Sequence, residues 1–193
     1  MKPFHPGRKL AFLLAAALLF TLLSPQPVWA QDKKDKDDKD DAPATVAEKE
    51  IEAKACPGTK TDHEASTDKT QHPTPDAPAD KAMVYSVRPT MMGNKIQTKL
   101  AVDGRWVGVN RGNNYFFFTL SPGEHYFCST AENRSVLAMK VEAGKTYYVQ
   151  QKITMGFMKA RNKLVTITTE EGKAALAKTH LALHTPKDEG PAK

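Results

Sequence analysis

Cysteine, aromatic residues and long apolar runs are all scarce in this chain of 193 residues, which has 2 cysteines and 8% aromatic residues. The longest apolar stretch, Leu10–Leu23, has about 14 residues, fewer than the roughly 20 that a membrane-spanning helix needs. The sequence has neither a glycine-rich phosphate loop nor a serine in a nucleophile-elbow context. These absences argue against nucleotide-dependent and serine-hydrolase chemistry, and we expect neither enzymatic activity nor a cofactor.

The first 30 residues have the pattern of a Sec-type signal peptide. Three basic residues precede the apolar run, and the sequence Val-Trp-Ala places cleavage between Ala30 and Gln31. The alternative is an uncleaved membrane anchor, for which the apolar run is short. The residue directly after the cleavage point is Gln31 and not the lipid-accepting cysteine of a lipoprotein, so a lipoprotein is not expected. The sequence predicts a secreted or periplasmic protein without a transmembrane helix in the mature chain, and export removes nucleic acid from its partners.

Charge is divided along the chain. Residues 31–80 carry 8 lysines against 14 acidic residues, whereas residues 81–193 carry 17 lysines and arginines against 8 acidic residues. An acidic arm is therefore attached to a basic domain, which can be screened by the arm or left open to an anionic surface. Peripheral contact with a membrane is one form that such binding would take.

Residues 31–80 are predicted to be a disordered linker, charged at first and then rich in proline and threonine, because they offer little apolar surface to offset ordering entropy. The linker contains Cys56, and the domain that follows contains Cys128. In an oxidising compartment an even number of cysteines favours a disulfide between them. Two free thiols are the alternative.

Residues 81–168 are predicted to form an all-β domain, an antiparallel sandwich of about seven or eight short strands. Short alternating apolar runs are separated by turn signals every 8 to 12 residues. Asp103-Gly104 supplies the residues of a tight hairpin turn. In residues 169–193 we expect a short helix, opened by a capping box of Thr168 and Glu171, and then a frayed tail.

Histidines are the best candidates for chemistry. His180 and His184 have the spacing of two zinc ligands on one helix face, and His125 lies in a predicted strand. No third ligand stands near the first two. A zinc-dependent or other hydrolase that uses these histidines is therefore the alternative to a non-enzymatic protein, and no metal site is predicted.

Aromatic and basic residues supply candidates for surface binding. Tyr115–Phe118 is expected to be a central strand buried on both sides, with an exposed aromatic platform as the alternative. Residues 155–163 mix apolar and basic side chains and either lie on an anionic membrane surface or fold back onto the core. The residues selected for surface binding are Phe157, Met158, Lys159, Arg161, Lys163 and Trp106.

The segment from Lys81 to about Thr168 resembles the bacterial domain of unknown function 2846, which occurs in exported proteins and lipoproteins. The Val-Asp-Gly and Pro-Gly turn order is also similar to small surface-layer domains named for a Pro-Glu-Gly-Ala motif, which this chain lacks. The resemblance implies a β-sandwich and export, and it implies no catalytic residue. It rests on Lys81-Ala82-Met83-Val84-Tyr85, Val102-Asp103-Gly104-Arg105-Trp106-Val107-Gly108, Tyr115-Phe116-Phe117-Phe118, Ser121-Pro122-Gly123-Glu124-His125 and Glu142-Ala143-Gly144-Lys145-Thr146-Tyr147-Tyr148, with a lead-in at Thr67–Pro75.

Together these observations favour a non-enzymatic β-sandwich of the periplasm or cell envelope that binds an envelope partner or an anionic surface. A purely structural spacer is a third hypothesis.

Overall fold

The computed structural model describes residues 44–58, 63–155 and 160–186. The predicted signal peptide, its cleavage point between Ala30 and Gln31, and the acidic tract up to residue 43 lie outside the described residues. The elements are α1 (Val46–Ala55), β1 (His63–Asp68), β2 (Ala82–Arg88), β3 (Thr98–Val102), β4 (Arg105–Asn110), β5 (Asn114–Leu120), β6 (Gly123–Thr130), β7 (Arg134–Val141), β8 (Thr146–Met155), β9 (Ala160–Ile167), α2 (Thr169–Leu176) and β10 (His180–Pro186).

The strands form two sheets, so the predicted all-β fold with a short helix after it is confirmed. One sheet has six strands in the order β1-β10-β5-β2-β8-β9, and the other has four in the order β4-β3-β6-β7. Most neighbours are antiparallel, but β10 runs parallel to β5 and β2 runs parallel to β8. The predicted antiparallel sandwich thus also contains two parallel pairs, because the chain passes through the other sheet between β2 and β8 and again between β5 and β10.

The elements stack as four layers: α1, the four-stranded sheet, the six-stranded sheet and α2. The central apolar core lies between the sheets. A second cluster lies between the six-stranded sheet and α2, and a third joins α1 to the four-stranded sheet. Their most buried members are Val84, Leu100, Phe116, Phe127 and Val149 in the first, Tyr85, Val87, Tyr115 and Tyr148 in the second, and Ala55, Ala101 and Cys128 in the third.

Two parts of the predicted linker are ordered, which corrects the prediction of disorder up to residue 80 for the residues described. Helix α1 starts with a capping box formed by Thr45 and Glu48. Ala55 is fully buried against the sheet, and Ile51 packs beside it. These few apolar contacts come from distant parts of the chain, so composition alone does not reveal them.

Strand β1 corrects the same prediction. It pairs with β10 over six residues, from His63 opposite Pro186 to Asp68 opposite Leu181. Strand β10 itself replaces the frayed tail expected before residue 187, and both strands extend the sandwich beyond residues 81–168. Their order comes from backbone pairing between the two ends of the domain, which local pattern does not show.

An extended strap, residues 71–78, joins β1 to β2 and crosses the outer face of the six-stranded sheet. The Tyr115 hydroxyl donates a hydrogen bond to the Pro73 carbonyl at 2.9 Å, and the Tyr85 hydroxyl donates to the Pro75 carbonyl at 2.5 Å. Strand β5 is thus covered on both sides, since Phe116 faces the other sheet and Tyr115 faces the strap. This confirms the expected buried central strand and excludes an exposed aromatic platform there.

Local predictions for the turns and the second helix are confirmed. Asp103 and Gly104 have φ values of 50° and 75° in the β3–β4 turn, as a tight hairpin requires. Thr168 and Glu171 form the capping box of α2. This cap fixes the start of α2 directly after β9, and the helix then lies over Tyr148.

Candidate functional site

The outer face of the β8–β9 hairpin concentrates positive charge. Lys152 stands directly opposite Lys163, and Thr154 stands opposite Arg161. Both lysines are exposed and Arg161 is half-buried. Side chains that are directly opposite on an antiparallel pair have Cβ atoms about 4.5–5.5 Å apart, and like charges in such a pair repel each other. The register therefore gathers three cationic side chains on one small surface.

Two of the residues predicted for surface binding, Arg161 and Lys163, lie on this face. Phe157, Met158 and Lys159 belong to the connection between β8 and β9, which is outside the described residues. Trp106 is not part of this surface: it packs with Ile51 and Ala101 under α1, on the outer face of the other sheet. Trp106 is therefore not part of the hairpin face, and its role in surface binding stays a prediction.

A loop next to the hairpin is held by a buried arginine. The Arg88 side chain is fully buried, and its guanidinium donates to the carbonyls of Ile96 at 2.6 Å, Gly93 at 2.7 Å and Met92 at 3.1 Å. Burial lowers the pKa of Arg88 to about 10. Taking a cation out of water is costly unless its hydrogen bonds are satisfied. The three carbonyls offset part of this cost and fix the conformation of loop 89–97.

The same loop presents apolar side chains to solvent. Met91 is 61% exposed and Met92 is 48% exposed. The loop lies at the hairpin end of the sheet, because Val87 pairs with Gln150 and a Cβ at Gly93 would stand 3.7 Å from the Ile153 side chain. A buried cation thus holds a loop with two exposed methionines at the hairpin end of the six-stranded sheet.

His125 has partners on both ring nitrogens. Its Nδ1 lies 2.6 Å from the Asp103 carboxylate, and its Nε2 lies 2.8 Å from the Ser121 carbonyl oxygen. Asp103 also accepts a hydrogen bond from the Tyr126 backbone N–H at 2.9 Å. A general base needs a nitrogen lone pair directed at its substrate, whereas both nitrogens here face oxygen acceptors. This geometry joins the two turns at one end of the four-stranded sheet.

His180 and His184 lie on a strand and not on a helix, which corrects the expected zinc-like spacing. Four residues along a strand span about 13 Å, and two ligands of one zinc ion cannot be that far apart. The His184 Nε2 atom lies 3.1 Å from the Val107 carbonyl oxygen, and its ring contacts Phe116 edge-on. Within residues 44–58, 63–155 and 160–186, no group of three or more His, Cys, Asp or Glu side chains is placed to hold a metal ion.

The two cysteines form a disulfide, as the sequence analysis favoured. Cys56 and Cys128 have their Cα atoms 5.2 Å apart and are 72 residues apart in sequence. The bond attaches the end of α1 to β6. An ion pair of 2.6 Å between Arg134 and Glu52, and the Lys54 ammonium 4.7 Å from the centre of the Tyr126 ring, hold the same helix. The first part of the predicted linker is therefore fastened to the sandwich.

Sequence reasoning missed Lys152 and Arg88 as members of this region. Lys152 gains its importance only from the strand register, which sets it opposite Lys163. Arg88 is a charged residue in an apolar strand, and that is a signal which the sequence did offer. In the described part of the chain, no helix has the length and apolar character to cross a membrane.

Part of the chain is similar to a protein of a known bacterium. A Haemophilus influenzae (strain ATCC 51907 / DSM 11121 / KW20 / Rd) protein described as "Uncharacterized protein" is 29% identical over 101 residues. The match covers 52% of this chain and 60% of that protein, so less than two thirds of the relative is spanned. No solved structure matches the chain. Residues 78–163 match the family described as "Protein of unknown function (DUF2846)", which confirms the resemblance that the strand and turn motifs of this segment predicted.

Proposed function

We propose that this protein is an exported, non-enzymatic binding module of the cell envelope that docks on an anionic lipid surface through the outer face of the β8–β9 hairpin. The observation that carries the proposal is the register that sets Lys152 directly opposite Lys163, with Arg161 on the same face. The two lysines and the arginine make this face cationic, and an anionic lipid surface complements that charge.

The positive charge of the hairpin face is large enough to contribute measurably to binding at an anionic membrane. Each lysine or arginine near an anionic bilayer contributes about 1 kcal/mol to binding, so the three side chains contribute about 3 kcal/mol at low ionic strength. Salt screens this attraction over a Debye length of about 8 Å at physiological ionic strength. We therefore expect binding that is reversible and sensitive to salt.

The loop with Met91 and Met92 adds exposed apolar side chains at the same end of the sheet as the hairpin. Peripheral binding to bilayers combines basic side chains with apolar side chains that enter the interface. Because Arg88 already fixes the loop through three carbonyls, the loop loses little conformational entropy when it binds.

Export is part of the proposal. It is supported by the Sec-type pattern of residues 1–30 and by the disulfide between Cys56 and Cys128, since disulfides persist in oxidising compartments. Gln31, and not a cysteine, directly follows the expected cleavage point, which favours a periplasmic or secreted protein over a lipoprotein.

Vesicle co-sedimentation tests whether the hairpin face binds anionic lipid. The purified protein is mixed with vesicles rich in phosphatidylglycerol or made of phosphatidylcholine alone, at low and at high salt. We expect binding to the anionic vesicles at low salt, little binding to the neutral ones, and release at high salt. The double variant Lys152→Gln with Lys163→Gln is expected to bind the anionic vesicles about 30-fold more weakly, because it loses two surface cations.

A matched variant separates local charge from net charge. Lys49→Gln with Lys69→Gln removes the same charge from exposed positions outside the hairpin and is expected to retain most of the binding. Equal losses in the two double variants would overturn the assignment of this face. Failure to bind anionic vesicles at low salt would overturn the lipid surface itself, and binding to an anionic polysaccharide in its place would identify the other class of partner.

A further inference from the structure

A second surface feature lies on the outer face of the six-stranded sheet, away from the hairpin end. It is a cleft of about 390 Å³ between the strap and α2. This volume is at the lower end of the range of about 300–1,000 Å³ that is typical of small-molecule sites. Its lining includes Asp76 from the strap, Lys173 from α2, and Tyr85 and Tyr148 from the sheet.

The two walls of the cleft carry opposite charges. Asp76 stands on the strap and Lys173 on the helix, and both are exposed. In the described part of the chain, neither side chain takes part in an ion pair or a hydrogen bond. A carboxylate and an ammonium that face one cleft without pairing leave both available to a ligand with complementary charges.

The floor of the cleft supplies a tyrosine hydroxyl. Tyr148 is only 6% exposed, and among the described residues its hydroxyl has no hydrogen-bond partner. By contrast, the hydroxyl of its neighbour Tyr85 is engaged with the Pro75 carbonyl. Burial, and next the negative charge of Asp76, raise the pKa of Tyr148, so this hydroxyl keeps its proton and can donate it.

The ring faces on this floor are not open. Tyr85 and Tyr148 stack on each other with centroids 5.4 Å apart, and Tyr85 is 2% exposed. A sugar or nucleobase that binds by stacking needs an open aromatic face. The cleft therefore offers charges and one hydroxyl at its walls and floor, and this favours a small polar ligand.

We propose that the cleft binds a small zwitterion, namely a free α-amino acid or a dipeptide. Asp76 accepts hydrogen bonds from the ammonium of the ligand. Lys173 and the Tyr148 hydroxyl donate to its carboxylate. Charge-assisted hydrogen bonds of this kind are the strong ones in proteins.

The walls are held in place before any ligand arrives. The strap is fixed by hydrogen bonds from Tyr85 and Tyr115 to its carbonyls, and α2 by its capping box and by Leu176, which is buried against the sheet. A cleft with fixed walls loses little entropy on binding. This site is separate from the cationic hairpin face, and so its test does not depend on the membrane proposal.

The test is a titration of the purified full chain followed by NMR chemical shifts. The probes are L-alanine, the dipeptide L-alanyl-L-alanine, N-acetyl-L-alanine, which lacks the ammonium, and L-alaninamide, which lacks the carboxylate. We expect at least one of the two zwitterions to shift the signals of Tyr148 and Lys173. The two analogues with a single charge are expected to bind at least about tenfold more weakly than the zwitterions.

Three variants assign the contacts. Asp76→Asn, Lys173→Gln and Tyr148→Phe are each expected to weaken binding about tenfold, whereas Asp80→Asn and Lys178→Gln, at exposed positions outside the cleft, leave it unchanged. If Tyr148→Phe does not fold, Asp76→Asn and Lys173→Gln alone decide whether the cleft is the binding site. No shift with either zwitterion at millimolar concentration, equal binding of the single-charge analogues, or full binding by Asp76→Asn and Lys173→Gln would overturn the proposal.

Discussion

The backbone of Gly172 lies on the ring of Tyr148. A Cβ atom at position 172 would overlap Cγ, Cδ1 and Cδ2 of that ring. Glycine in a helix interior ordinarily costs about 1 kcal/mol relative to alanine. At position 172 the missing side chain allows α2 to lie close to the sheet, where the helix forms one wall of the cleft.

We therefore expect Gly172→Ala to destabilise the protein by about 1–3 kcal/mol, the usual cost of overpacking, although the same change in an open helix would stabilise it. Urea unfolding followed by circular dichroism measures the effect. Gly58→Ala, where an added Cβ has no atom within 4 Å, is the control and is expected to change the free energy of unfolding by less than about 0.5 kcal/mol. A stabilised Gly172→Ala variant would show that α2 does not lie on Tyr148.

The disulfide is expected to contribute to stability mainly through the unfolded chain. It joins residues 72 positions apart, and closing a loop of that length is worth about 4 kcal/mol in chain-entropy terms, with about 2–4 kcal/mol typical of measurements. The double variant Cys56→Ala with Cys128→Ala should lower the free energy of unfolding by about 2–4 kcal/mol. Reductant should destabilise the native protein equally and leave the double variant unchanged. A native protein indifferent to reductant would contradict the prediction.

Stability is expected to fall in alkali. Burial raises the pKa of Tyr85, Tyr115 and Tyr148 above the ordinary value of 10.0, and for Tyr85 the neighbouring tyrosines and Asp76 add to the effect. The folded protein then holds protons that the unfolded chain releases above a pH of about 10, so the stabilisation is complete below that pH and is lost above it. Arg88 acts in the opposite direction, because its pKa is lowered to about 10 from 12.5.

Tyr85→Phe measures how much Tyr85 contributes to the loss of stability in alkali. The variant loses the hydrogen bond to Pro75 and is less stable at neutral pH, but its stability should depend less steeply on pH above about 10. Thermal unfolding at a series of alkaline pH values measures the slope. Identical slopes for the variant and the native protein would show that Tyr85 titrates as it does in the unfolded chain.

Local signals in the sequence predicted the parts of the fold that depend on neighbouring residues. The Asp103-Gly104 turn and the Thr168 cap of α2 are of this kind, since each is formed within a few residues. Helix α1 and strands β1 and β10 were missed because their order depends on distant partners: a disulfide to Cys128 in one case and the pairing of the two ends of the domain in the other.

The candidate site was predicted only in part for the same reason. Arg161 and Lys163 were recognised from a local mixture of basic and apolar residues, but the role of Lys152 depends on the register of two strands. The cleft depends on four separate segments, the strap, β2, β8 and α2, and Asp76 and Lys173 are almost 100 positions apart in the sequence. No periodicity or motif links such residues before the chain has folded.

The pairing of β1 with β10 sets an order of events when the chain folds. Strand β1 lies at the edge of the six-stranded sheet with β10 as its neighbour, so it has no place in the sheet until the end of the domain has been synthesised. A chain that emerges from its N-terminus first must therefore keep His63–Asp68 unpaired while the strands from β2 to β9 assemble. Contacts between such distant segments form slowly, and insertion of β10 between β1 and β5 is the step that completes the sheet.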